Sequence, residues 1–180
     1  MSSDFTVGVI VGRFQVDALT PGHLGLIDRV AALHTRVLIA IGSSDKTGSN
    51  ANPLDYMTRA RMFNGLYGGV VGTVELPDNA SDEVWSQDLD RRVRGYYSGV
   101  DIPFTLYGSR DSFIPHYSGK YPTKVMSAEA TSICGTKSRA NVIRQGPIDS
   151  SDFRAGVIYA THVINALQVE RLKRELDGTA

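Results

Sequence analysis

The sequence predicts an α/β protein, a doubly wound and mainly parallel sheet of about five strands with helices on both faces. Three observations predict it. Short apolar, β-branched runs recur along the chain, they alternate with stretches of helical periodicity, and they stop at glycine or at polar loops. Strands that alternate with helices need crossover connections, and these put helices on both sides of a parallel sheet. No repeat or linker divides the 180 residues, so 1–180 reads as one domain with enough material for a core.

The elements follow in order. Phe5–Val11 reads as a buried strand ended by Gly12-Arg13. After Pro21-Gly22, the spacing of Leu24, Ile27, Ala31 and Leu33 predicts a helix over 22–34. Arg36–Ile41 is a second strand closed by Gly42, and a polar loop runs from Ser43 to Asn52. Pro53 suits a first helical turn, so Leu54–Tyr67 is expected to be helical. Val70–Leu76 is a third strand, and a helix from about Ser81 to Tyr97 carries Trp85, Leu89 and Val93 along one face. Phe104–Tyr107, closed by Gly108, and Pro122–Met126 complete the strands. A further helix is expected from Thr136, and a helical tail over 152–176.

Composition narrows the function. A hydrophobic fraction of 42% and a charged fraction of 21% exclude a disordered or fibrous chain. Lys plus Arg equals Asp plus Glu, 19 each, so no global field draws nucleic acid or an anionic membrane. Any phosphate recognition must therefore come from a few placed groups. Cys134 is the single cysteine and cannot form an internal disulfide, which suggests a reducing compartment. Met1–Thr6 lacks the layout of a secretory signal, and runs such as Val37–Ile41 are too short to span a bilayer. The expectation is a cytoplasmic protein with no nucleic-acid or membrane partner.

Common nucleotide and metal motifs are missing. Gly119-Lys120 is followed by Tyr121, so there is no P-loop, and no G-x-G-x-x-G opens a helix after the first strand. No His/Cys cluster has metal spacing. In parallel sheets ligands bind outside the carboxyl ends of the strands. Two segments there carry chemistry. In the first, Gly12-Arg13-Phe14-Gln15 is followed by Thr20-Pro21-Gly22-His23 at the start of a helix. Unpaired N–H groups and the positive dipole end make such a helix start an anion site. His23 can bond a phosphate through a ring nitrogen, Thr20 can donate its hydroxyl, and Arg13 can add a charged contact. In the second, Gly135 permits close approach, Thr136 can cap a helix or donate to phosphate, and Arg139 lies one turn further on. Read alone, each segment is better taken as a plain helix cap with a solvated charge.

Together, Gly12-Arg-Phe-Gln15, Thr20-Pro-Gly-His23 and Ile133-Cys-Gly-Thr-Lys-Ser-Arg139 resemble the adenylyltransferase and cytidylyltransferase superfamily, whose domain is Rossmann-like. Thr20 stands where close relatives more usually carry His, and Cys134 where they carry Ser. Further segments resemble nicotinamide mononucleotide (NMN) adenylyltransferases, above all the N-terminal domain of bifunctional enzymes that add a Nudix hydrolase. These are Asn52–Met62, Ser81–Ser86, Gly108–Gly119 and Asp152–Ala160. The Nudix box is not expected here, because Arg174-Glu175 has Ala166 where an upstream glutamate would be needed.

The resemblance implies transfer of AMP from ATP to NMN, giving NAD and pyrophosphate. Mg²⁺ would arrive with ATP and need no protein ligand. His23, Arg139, Arg13 and Thr20 would be the catalytic set. Gly12, Phe14, Gly22, His23, Gly108, Arg110, Thr136 and Arg139 would hold ATP, and Trp85, Lys46 and Asn52 the mononucleotide. Trp85 either stacks on the cationic nicotinamide ring or is simply core in register with Leu89 and Val93. Lys46 either meets the acceptor phosphate or stays solvated, and Arg110 either contacts the nucleotide or holds its own loop through Asp111. Rival readings are a superfamily enzyme with another phosphorylated acceptor and a non-catalytic nucleotide-binding module. A homo-oligomer is compatible with the sequence.

Overall fold

The apolar run near the N-terminus becomes the central strand because both of its faces find cover. In the computed structural model, which describes residues 5–16, 19–99, 101–109 and 113–126, the strands are β1 (Val7–Gly12), β2 (Arg36–Gly42), β3 (Val71–Leu76), β4 (Phe104–Gly108) and β5 (Thr123–Val125). They form one sheet in the order β3-β2-β1-β4-β5, with every pair parallel. The helices are α1 (Pro21–Ala31), α2 (Tyr56–Tyr67) and α3 (Asp82–Tyr96). Short 3-10 turns at Gly68–Val70 and Ile114–His116 complete the described elements.

Side chains alternate across the strands, as the pleat requires. On one face Ile10, Val37, Ile39, Ile41 and Tyr107 pack with Leu24, Ile27 and Val30 of α1 and Ala60, Met62 and Phe63 of α2. On the other, Val7, Val9, Leu38, Ala40, Phe104 and Leu106 pack with Leu89 and Val93 of α3. This two-sided burial explains why β1 and β2 read as unbroken apolar runs. The chain runs outward from β1 through β2 to β3, then returns past β1 to β4. The winding therefore reverses between β1 and β4, and a crevice opens at such a switch point.

Strand bounds match the expectation to within two residues, and the helices depart from it in two ways. Helix α1 ends at Ala31, with Ala31 and Leu33 exposed and Leu26 buried instead. Helix α2 begins at Tyr56 rather than Leu54, so Pro53 lies outside its first turn. Asp55 is the N-cap, its carboxylate accepting from the Thr58 N–H at 2.7 Å. Leu54 cannot join the helix because the buried Gln15 amide clasps its backbone in both directions, at 3.0 and 2.9 Å. The expected helices at Thr136 and over 152–176 lie outside the described residues. No helix among the described residues is long and apolar enough to cross a membrane.

Gly8 sets how closely α1 approaches the sheet. A Cβ there would overlap Val30 Cγ1 and sit 2.7 Å from His34 Cδ2, whereas one at Gly25, within α1, would meet nothing within 4 Å. Gly8→Ala should cost about 1–3 kcal/mol through overpacking, and Gly25→Ala should stabilise by about 0.5–1 kcal/mol through helix propensity. Urea unfolding of both variants checks the pair, and an undiminished midpoint for Gly8→Ala would contradict the close packing of α1.

Candidate active site

The carboxyl ends of the central strands surround a cleft of about 800 Å³. β1 and its following loop supply Gly12, Arg13 and Phe14, and α1 supplies His23. The end of β2 and the segment after it supply Gly42, Ser43 and Lys46. Asp78 and Asn79 come from the loop after β3, and Asp82 and Trp85 from α3. Ser109, Phe113 and His116 follow β4.

His23 is the most constrained of these groups. It is the third residue of α1, and with Thr20 it forms a reciprocal cap. The Thr20 hydroxyl accepts from the His23 backbone N–H at 3.4 Å, and the Thr20 backbone N–H donates to His23 Nδ1 at 3.1 Å. A main-chain N–H can only donate, so Nδ1 must accept and the neutral ring carries its proton on Nε2. Burial pushes the His23 pKa down to about 4, which keeps the ring neutral near pH 7. Phe14 sets its tilt, packing edge-on against His23 with centroids 5.3 Å apart and against Phe63 at 4.9 Å. Nε2–H is thereby left as a fixed, uncharged donor at the edge of the cleft.

Thr20 itself does not line the cleft, and its hydroxyl, besides accepting from the His23 N–H, lies 3.1 Å from His23 Nδ1. In this arrangement Thr20 holds His23. Gly22 lies in the first turn of α1 and Gly108 ends β4, and neither lines the cleft. Asn52 is buried away from it in a turn with Ser49, where its N–H donates to the Ser49 carbonyl at 3.1 Å. Arg13 is exposed and reaches along the rim beside Gly42.

Lys46 reaches the cleft already paired. Its Nζ lies 3.0 Å from Asp78 Oδ2, while Ser43 Oγ donates to Asp78 Oδ1 at 3.0 Å. Burial works against the Asp78 carboxylate, yet the Lys46 and Ser43 bonds hold its pKa below the ordinary value. The same bond raises the Lys46 pKa. Trp85 is half-buried: it packs on the α3 core and also lines the cleft, with its ring 5.8 Å from that of Phe113. His116 Nδ1 lies 2.9 Å from Asp82 Oδ2 on the same wall. Asp78, Asp82, Phe113 and His116 were not singled out as site residues from the sequence, although each falls in a segment that follows a strand. Arg110, Thr136 and Arg139 lie outside the described residues, as does the rest of the second signature. Among the described residues no group of three or more His, Cys, Asp or Glu could hold a metal ion.

No protein-family model matches the chain, and no curated protein matches it. Solved structures do match. A bifunctional NMN adenylyltransferase/ADP ribose pyrophosphatase from Francisella tularensis superposes with a TM-score of 0.66 at 21% identity, over 80% of this chain and 44% of that one. The same kind of enzyme from that organism, complexed with AMP and a manganese ion, gives 0.65 at 17% identity, over 95% of this chain and 56% of that one. The chain shares their fold. A NadR protein in complex with NAD and AMP-PNP follows at 0.53 and 17% identity, over 79% of this chain and 43% of that one. The chain thus spans about half the length of the structures that it matches.

The His23 cap yields a pH test. Its folded pKa of about 4 lies below the unfolded value of 6.5, so between the two the unfolded chain binds the extra proton. The stability that depends on the neutral ring is complete above 6.5 and is lost as the pH falls toward 4. His23→Gln retains a capping pair with Thr20 but cannot titrate. Between pH 7.5 and 4.5 wild type should lose about 2–3 kcal/mol more than this variant. Parallel loss in the two proteins, followed by urea unfolding, would show that His23 is not held neutral.

Proposed function

We propose that the protein is an adenylyltransferase of NAD synthesis that transfers AMP from ATP to NMN. The observation that carries this reading is the fixed Nε2–H of His23 beside the backbone at the carboxyl ends of β1 and β2, at the switch point of a parallel sheet. The shared fold and the sequence resemblance agree with it. An oxygen of the NMN 5′-phosphate attacks the α-phosphorus of ATP in line. The new O–P bond forms as the bond to the bridging oxygen of the β-phosphate breaks, and pyrophosphate leaves with the electron pair. No protein nucleophile takes part, so the chain contributes position and charge stabilisation.

The geometry supports the following roles. His23 donates Nε2–H to a phosphate oxygen that gains charge in the transition state, and being neutral beforehand it costs the empty site no buried charge. Arg13 supplies an exposed positive charge at the rim. Lys46 reaches a phosphate by exchanging its Asp78 partner for the substrate. Trp85 offers an aromatic face to the cationic pyridinium ring, a contact strengthened where water is excluded. A divalent cation such as Mg²⁺ would arrive with the ATP substrate and need no protein ligand. Arg110, Thr136 and Arg139 are proposed to complete the phosphate contacts, and the cytoplasm supplies both substrates.

Pyrophosphate release from ATP should depend on NMN, and be weak with pantetheine phosphate, flavin mononucleotide or with CTP as donor. Nucleotide binding without release would instead identify a binding module. His23→Ala should lower kcat about 10²–10³-fold, the scale for losing one transition-state donor. Trp85→Ala should raise the KM for NMN about 2- to 30-fold, the equivalent of a cation–π contact of about 0.5–2 kcal/mol. An unchanged KM would leave Trp85 with its packing role alone.

A further inference from the structure

Arg59 is the largest fully buried side chain among the described residues, with no exposed surface. A guanidinium in that position loses its hydration and must replace it with bonds. It does so without a carboxylate, since among the described residues no Asp or Glu oxygen lies within 4 Å of it. Its partners are backbone carbonyls: Nε donates to Asp55 at 3.1 Å, one terminal nitrogen to Arg13 at 2.8 Å and Gly42 at 2.7 Å, and the other to Ser43 at 3.1 Å. The neighbouring Asp55 carboxylate is occupied in capping α2.

The carbonyls that it holds lie at special places. Phe14 and Ser43 are non-glycine residues in the left-handed region, with φ of 51° and 47°. Each follows one of the carbonyls bonded to Arg59, Phe14 after Arg13 and Ser43 after Gly42. An L-residue in this conformation is strained by about 1–2 kcal/mol, so the surroundings must impose it. In a trans peptide the N–H points opposite to the C=O. A guanidinium that draws the Arg13 and Gly42 carbonyls inward therefore turns the N–H groups of Phe14 and Ser43 away from itself. Arg59 lies beneath the cleft and does not line it, whereas Arg13, Phe14, Gly42 and Ser43 do.

We propose that Arg59 is the positioning residue of the phosphate site, a buried clamp that joins the ends of β1 and β2 and presents the Phe14 and Ser43 amides to the anionic substrate. Its unpaired positive charge lies under the same surface and adds to the attraction for phosphate. The link to catalysis rests on the adenylyltransferase reading, whereas the amide geometry does not.

Two measurements test it. In the ¹⁵N-labelled wild-type chain, the Phe14 and Ser43 amide resonances should be among those that move most on titration with inorganic triphosphate; if both stay still, the proposal is overturned. Arg59→Lys keeps the charge but cannot reach all the carbonyls from one planar fork. It should melt cooperatively with native circular dichroism, lose the triphosphate-induced shifts and lower kcat at least tenfold, with the KM for NMN within threefold. A folded Arg59→Lys protein with wild-type kcat and shifts would also overturn it. If this variant does not fold, the wild-type titration alone decides. Moving amides in a protein that releases no pyrophosphate from ATP and NMN would sink the functional reading and leave the clamp standing.

Discussion

The structure depends on the hydrogen bonding of β1 on both of its edges. It lies between β2 and β4 with Ile10 level with Ile39 on one side and Tyr107 on the other. Its side chains are buried on both faces, so neither its register nor its direction can drift without exposing core. Its carboxyl end, Gly12, is thereby fixed in depth, and the loop that follows reaches both α1 and the clasp on Leu54. The cleft walls belong to different crossovers, yet each is tied back to this strand or to the one beside it.

The electrostatics follow from a chain with no net charge. A general field is absent, and the cleft instead gathers local pieces of differing kinds: an exposed guanidinium at the rim, an ammonium paired with a carboxylate, and a neutral imidazole with a fixed proton. A second guanidinium sits below the surface. Each carries a different desolvation cost. The imidazole avoids that cost by staying neutral, and the buried arginine offsets it with bonds to carbonyls. Asp78 and Asp82 bring negative charge to the same cleft, the first against Lys46 and the second against His116.

Much of this architecture was legible in the sequence. β-Branched runs ended by glycine placed β1, β2 and β4, and Thr20-Pro-Gly-His23 marked the start of α1. The periodic pattern around Leu33 failed because an apolar residue at a helix exit can lie in solvent without a large cost. Pro53 misled for a different reason: a long-range clasp from Gln15, remote in sequence, holds Leu54 extended. Arg59 was invisible as a structural element, since an arginine in a helix with charged neighbours reads as a solvated surface group. Only the convergence of two strand ends above it shows what it holds. Asn52 likewise read as a ligand because of the company it keeps in sequence, while its own turn keeps it away from the cleft.

The exchange between Thr20 and His23 has a consequence for how such sites vary. What fixes the imidazole proton is an amide of the main chain, which nineteen of the twenty amino acids supply equally. The hydroxyl beside it finishes the helix and also lies 3.1 Å from Nδ1, and other short polar groups finish helices as well. Position 20 is thus interchangeable among capping residues while the ring three places on keeps its orientation. A threonine in place of a histidine there alters the decoration of the turn and leaves its logic intact.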